Sequence, residues 1–365
     1  MSEVQLRRMQ HGDTWPSRRP VIHLLEAALA AIAAGRGTAP VLLSGPRGSG
    51  RTDALSWLAA RVHRDGLLSV RFDADAAPSS GAPLATALLA SIAEGADLLV
   101  GRRPGSSAVQ SLRRRTAALA AAAGDGRSVP VGELPALVRL LGEATEEARA
   151  ALVLSIAGLA GDGAARELLD AVQRGLDPNQ PVSVVAACQV LGGEPEGWRR
   201  VDLGPLGGAD LDAALRDPAL AALGPVLTPA RAHVLLERTG GWPGLLTPVL
   251  EHLATMVGAG SSPFDDEAIA AATADTVSTT VQRWIGGPLS SPERRYLRAV
   301  LDLAGPDGAA SLVDVGRALG DSTRFSAESS TLAQLRTGLL GRGALFNPAK
   351  DRLAPAVVGL AELLR

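Results

Sequence analysis

The residues with the clearest chemical content stand side by side: Gly45, Pro46, Arg47, Gly48, Ser49, Gly50, Arg51 and Thr52. They fit the pattern G-x-x-x-x-G-K-[ST] at every fixed place but one, because Arg51 stands where a lysine belongs. Glycines at these places let backbone N–H groups curl around phosphate oxygens, and a helix opening directly after them adds partial positive charge. Thr52 would offer its hydroxyl to Mg²⁺. The bland reading of the same segment is a glycine-rich strand-to-helix turn with no ligand.

Arg51 itself has two explanations. Lys350 is the only lysine in the chain, so a coding bias towards arginine could have replaced the residue. Yet a planar guanidinium does not substitute freely for a compact ammonium at a terminal phosphate. Phosphate binding is expected to be weakened or altered, and hydrolysis to suffer more.

Hydrolysis at such a loop also needs acids. A second strand normally ends in an Asp for Mg²⁺ and often a Glu that orients water. Here the apolar run that should carry them ends Ile156-Ala157-Gly158-Leu159, and no carboxylate follows before Asp162. Ala157 and Gly158 thus occupy the expected acidic positions. The alternative is that the acids lie elsewhere, with Asp73 or Asp75 at the end of the preceding run as metal ligands.

The elements that would position these groups are legible as pattern. Five short runs rich in Val, Leu and Ile, at 40–45, 67–75, 151–159, 182–188 and 199–206, alternate with helical spacing and predict a parallel sheet in an α/β domain. A long insertion at 76–150 should hold two helices, 83–99 and 133–149, with a looser stretch carrying Arg113, Arg114 and Arg115 between them. Past Leu206 the helical segments 210–216, 229–239, 243–257 and 265–284 read as a small helical lid. The last part predicts helices at 292–303, 312–319 and 327–340, with Ser291 as N-cap, then an apolar-polar ribbon at 341–353 and a final helix from Pro355. Three helices and a ribbon make a winged-helix order. The expected division is 1–206, 207–285 and 286–365.

Bulk properties exclude several classes. With 46% hydrophobic and 20% charged residues the 365-residue chain is ordinary globular material, too long for one core. A net charge of -2 gives no global field for nucleic acid. The single cysteine, Cys188, rules out an internal disulfide and fits a reducing, cytoplasmic compartment. The polar N-terminus lacks a signal-peptide core, and no apolar run is expected to reach membrane-spanning length.

The order of these segments resembles a family. The phosphate loop is followed by the helix feeding ALVLSIAGL, then by VSVVAAC, Val201-Asp-Leu-Gly-Pro-Leu, Leu215-Arg-Asp-Pro, Thr239-Gly-Gly-Trp-Pro243 and Leu289-Ser-Ser-Pro-Glu. It looks like the bacterial AAA+ ATP-binding proteins related to the origin-recognition and STAND groups, with degenerate Walker A and Walker B motifs. The resemblance implies an ATP or ADP ligand with Mg²⁺, or none if the site is dead. It places Ala157 and Gly158 where the family has Asp-Glu, and Cys188 or Gln189 near a polar sensor. Gly241, Trp242 and Pro243 would lie beside the nucleotide base, Trp242 being otherwise a core aromatic of the lid. The expected role is a regulatory or assembly subunit, a pseudo-ATPase with a protein partner or further copies of itself and no membrane. Two alternatives stand: an active nucleotide-switched DNA-binding ATPase, and a nucleotide-free interaction scaffold.

DNA contact would fall to the third helix of the winged-helix part, through Arg324, Gln334, Arg336 and Arg342. Acids are interspersed there, so few phosphates could be neutralised.

Overall fold

The computed structural model describes residues 16–74, 81–160, 163–189, 195–216, 220–259, 265–305, 308–320, 330–347 and 351–364. Contacts divide the chain into two compact units. Among the described residues, one comprises Arg19–Ser44 and Arg51–Asp202; the other comprises Pro16–Arg18, Gly45–Gly50 and the described residues from Leu203 onwards. Asp75, Asp162 and Arg324 lie outside the described residues.

The first unit is α/β, as the apolar runs require. Strands β1 (Val41–Ser44), β2 (Leu68–Asp73), β3 (Leu152–Leu159), β4 (Val182–Cys188) and β5 (Arg199–Asp202) form one sheet in the order β2-β3-β4-β1-β5. Every pairing is parallel. The central strands β3 and β4 are buried along nearly their whole length, and β5 at the edge is not. That contrast explains why the central runs read as continuous Val, Leu and Ile: both of their faces are covered.

Helices α1 (Arg19–Ala33) and α2 (Arg51–Arg64) flank β1, while α3 (Gly81–Arg102), α4 (Ser107–Gly124), α5 (Leu134–Glu147) and α6 (Gly163–Gly175) pack in succession. Residues 84–102 of α3 have the length and apolarity of a membrane-crossing helix, contrary to the expectation that no run would reach it. Ala85, Leu88, Ile92, Ala96 and Leu99 are fully buried in the unit's core, so within this fold α3 is a core helix.

The stretch around Arg113, expected to be loose, is the helix α4. The Ser106 hydroxyl accepts the Val109 amide at its start, and Val109, Leu112 and Thr116 recur at helical spacing on a buried face. The arginines occupy the opposite, wet face. Arg113 pairs with Asp97 at 3.5 Å and Arg115 with Glu133. The run of three arginines hid the buried stripe.

The second unit is mainly helical: α7 (Gly208–Ala214), α8 (Pro229–Thr239), α9 (Pro243–Gly258), α10 (Asp266–Trp284), α11 (Ser291–Asp302), α12 (Leu312–Gly320), α13 (Ser330–Gly341) and α14 (Leu360–Leu363). A small antiparallel sheet joins β6 (Ala310–Ser311), β8 (Arg352–Pro355) and β7 (Leu345–Phe346). From α11 onwards the elements follow the expected order of three helices and a ribbon. The N-cap of α11 is Ser290 rather than Ser291. Glu293 at the third helical position reaches back to the Ser290 amide at 2.7 Å, which closes a capping box one residue earlier.

Candidate functional site

The glycine-rich segment leaves β1 at Ser44 and enters α2 at Arg51, so it stands between a strand and a helix as its pattern demands. Gly48 and Gly50 have φ of +96° and +92°, a region where a side chain is strained. The Ser49 hydroxyl is fully buried and has no hydrogen-bond partner. A buried orphan hydroxyl in a loop of this shape suits a phosphate oxygen. Thr52 is exposed on the first turn of α2, and Asp53 is the acidic residue of that turn.

The rest of the loop is committed elsewhere within its own unit. The Arg47 amide donates to the Ala356 carbonyl at 2.8 Å, and the Val358 amide donates to the Arg47 carbonyl at 3.2 Å. Together these make a parallel bridge between Arg47 and Val357. The Gly244 amide donates to the Gly48 carbonyl at 2.9 Å, and the Arg47 guanidinium donates to the Trp284 carbonyl at 2.9 Å. A β-carbon on Gly48 would stand 2.6 Å from Cγ2 of Val358 and 2.7 Å from Cη2 of Trp284. Arg18, almost fully buried, donates to the Ser49 carbonyl at 3.1 Å and also to the Gly204 carbonyl. The loop's conformation fits a phosphate; its amide at Arg47 and the space over Gly48 are taken by residues of the same chain.

At the positions where the sequence reading expected acids, the backbone is irregular. The β3–β4 register shifts between Ile156 and Leu159, and Gly158 within that irregularity has φ +72°. Ala157 is buried at 4% exposure, where a carboxylate would be costly to desolvate. Asp73 is the in-register partner of Ala157 on the adjacent strand β2. Its carboxylate lies 3.7 Å from Arg71, both side chains being well exposed. Among the described residues no group of three or more His, Cys, Asp or Glu side chains converges as a metal site.

The strand-end residue Cys188 is buried, and its Sγ contacts the Ala160 carbonyl at 3.3 Å. Gly241 and Gly240 are both left-handed, and Trp242 caps α9 with Pro243 at its first turn. The Leu206 amide donates to the Gly241 carbonyl at 2.7 Å, so this turn is fixed by backbone contacts.

The three described residues among those expected at DNA do not act alike. Gln334 is exposed on α13 and Arg336 is half-buried. Arg342 is a strut: its guanidinium donates to the Glu293 carboxylate at 2.8 Å and to the carbonyls of Ile285 at 2.9 Å, Gly287 at 2.7 Å and Pro288 at 3.0 Å. Burial works to raise the Glu293 carboxyl, but the Ser290 bonds and the Arg342 charge outweigh it and hold the group below the usual carboxylate range. From the sequence Arg342 reads as a candidate DNA contact, because the carbonyls it binds leave no residue-type signal.

No family model matches the sequence, and no curated relative matches it. Solved structures resemble it in fold. The Walker-type ATPase PABY2304 of Pyrococcus abyssi aligns over 95% of each chain at 14% identity with a TM-score of 0.49. The ORC1 protein of Aeropyrum pernix, in complex with DNA, covers 96% of this chain and 92% of its own at 15% identity and 0.46. The RuvB Holliday junction branch migration motor of Thermotoga maritima covers 92% and 91% at 15% identity and 0.41. At these values the likeness concerns architecture and carries nothing about activity.

Proposed function

We propose that this chain is an ATP- or ADP-binding subunit of AAA+ type with little or no hydrolysis, acting in regulation or assembly. The observation that carries the reading is at Ala157 and Gly158. The strand end that should supply Asp and Glu is apolar, irregular in register and left-handed at Gly158. A site with an intact glycine framework and no acids can hold a nucleotide without splitting it. Thr52 would meet Mg²⁺, and the turn at Gly241–Pro243 would lie near the base. The helical part at 207–285 serves as lid, and the winged-helix part at 286–365 as a contact module.

A protein partner or a second copy is favoured over DNA for that module. Arg342 is spent on the joint between α10 and α11, which leaves Gln334 and Arg336 of the described candidates. The test is to denature the freshly purified full chain and analyse the released small molecules. Stoichiometric ADP or ATP supports the reading. A chain that releases none, and that binds none at millimolar concentration, favours a nucleotide-free scaffold.

A further inference from the structure

We infer that the first unit carries a ligand site of its own, a cavity at the N-terminal ends of its strands that takes a small carboxylic acid with an apolar body. Leu68 opens β2, and Ala151 and Pro181 stand directly before β3 and β4. All three line a cavity of about 530 Å³, within the range of about 300–1,000 Å³ typical of small-molecule pockets. It lies at the opposite end of the sheet from Ser44, the last residue of β1. Its floor is apolar: Ile32 and Pro181 are buried, and Leu67, Leu68 and Ala151 are half-buried. Asp65, Arg102, Glu146 and Arg149 stand exposed around it.

Three helices end at this cavity, and all three close in the same way. After α1 the Gly35 amide donates to the Ile32 carbonyl and the Arg36 amide to that of Ala31. After α2 the Gly66 amide donates to His63 and the Leu67 amide to Val62. After α5 the Arg149 amide donates to Glu146 and the Ala150 amide to Thr145. Each turn holds one residue in the left-handed region: Gly35 at φ +76°, Gly66 at +69° and Arg149 at +50°. This turn favours glycine, and two of the three have it. The third holds an arginine in a conformation its β-carbon disfavours. Among the described residues the Arg149 guanidinium has no hydrogen bond or ion pair. Arg102, at the end of α3, donates to the Gly66 carbonyl at 3.4 Å, which leaves most of its five donors for a ligand.

Charge selects the class of ligand. Asp65 is balanced by Arg61 at 3.0 Å, so Arg102 and Arg149 stand against Glu146 with one positive charge in excess. One carboxylate neutralises that excess, and a guanidinium can bind it through two parallel hydrogen bonds. The partial negative charge of three helix ends weighs against a dianion such as phosphate. The apolar floor calls for an apolar body on the acid.

The test uses the full chain and octanoate, followed through amide shifts in two-dimensional NMR, with octanamide and inorganic phosphate as comparison probes. Octanoate at millimolar concentration should move the amides of Leu67, Leu68, Ala150 and Ala151. It should bind at least about tenfold tighter than octanamide, the worth of a charge-assisted hydrogen bond. Arg149→Gly should weaken octanoate at least about tenfold while its urea midpoint rises, because the left-handed turn regains a glycine. Arg102→Gln should weaken octanoate as well. Unmoved amides at about 10 mM octanoate would overturn the site. So would equal binding of octanamide, or phosphate bound in preference to octanoate. A lower urea midpoint in Arg149→Gly, with octanoate binding unchanged, would make Arg149 a cap of α5 and overturn the proposal too.

Discussion

Arg47 and Val357 form a parallel β-bridge, the arginine's amide and carbonyl both engaged by the chain's C-terminal segment. The phosphate loop is thereby part of the packing of the second unit, and its glycines carry structural weight of their own. Gly48→Ala should destabilise the protein by about 1–3 kcal/mol through positive-φ strain and collision with Val358 and Trp284. The urea unfolding midpoint reads this directly. Gly101→Ala, in α3 with open space around it, is the control and should be neutral or stabilising by up to about 1 kcal/mol. Equal stability of the two variants would mean that nothing rests on Gly48.

Much of this architecture was legible because it is local. The runs that became β1 to β5 announced themselves as short stretches rich in Val, Leu and Ile, and the start of α11 by Ser, Pro and Glu. Ala157 and Gly158 could be read as standing where the sequence pattern leads one to expect acids. What could not be read was the contact between distant segments. Trp284 lies 237 residues from Arg47, and a half-buried tryptophan at a helix end has no spacing that marks it as a contact of that loop. The left-handed turn at Gly158 was equally silent, since a glycine in a strand is compatible with many backbones. Around Arg113, charge composition suggested a loop where one buried stripe sufficed for a helix.

The strut at Arg342 should matter to stability more than to any ligand. Arg342→Ala leaves Glu293 and three carbonyls without this donor and should cost about 2 kcal/mol. Arg336→Ala should stay within about 0.5 kcal/mol. If duplex DNA binds through α13, it is Arg336→Ala that should lower the slope of log affinity against log salt by about 1. A gel-shift series over salt compares the two, using Arg342 variants only where they remain folded.

Glu293 predicts a pH dependence of known sign. Its carboxyl titrates lower in the folded chain than when unfolded, so its contribution is present above the unfolded value of about 4.3. That contribution is lost as pH falls through the folded value. Thermal melts from pH 7 down to 3 should show wild type losing its advantage over Glu293→Gln below about pH 4.3. A constant difference across the range would contradict the Arg342–Glu293 pairing.

Installing the acids should not create a catalyst. Gly158→Glu puts a side chain at φ +72°, at roughly 1–2 kcal/mol, and Ala157→Asp buries a carboxylate. The double variant should melt lower than wild type and gain no Mg²⁺-dependent ATP turnover. Recovery of turnover with unchanged stability would mean the strand end needed only its side chains.

The most direct measurement is steady-state ATP hydrolysis by the purified wild-type chain beside Arg51→Lys. Parts of a phosphoryl-transfer site act as a unit, so restoring the lysine leaves the absent acids limiting. Both proteins should turn over at least about 100-fold more slowly than the ~1 per second of working enzymes. Wild-type turnover near ~1 per second, abolished by Asp73→Ala, would contradict the account and move the catalytic acid to the residue that stands in register with Ala157.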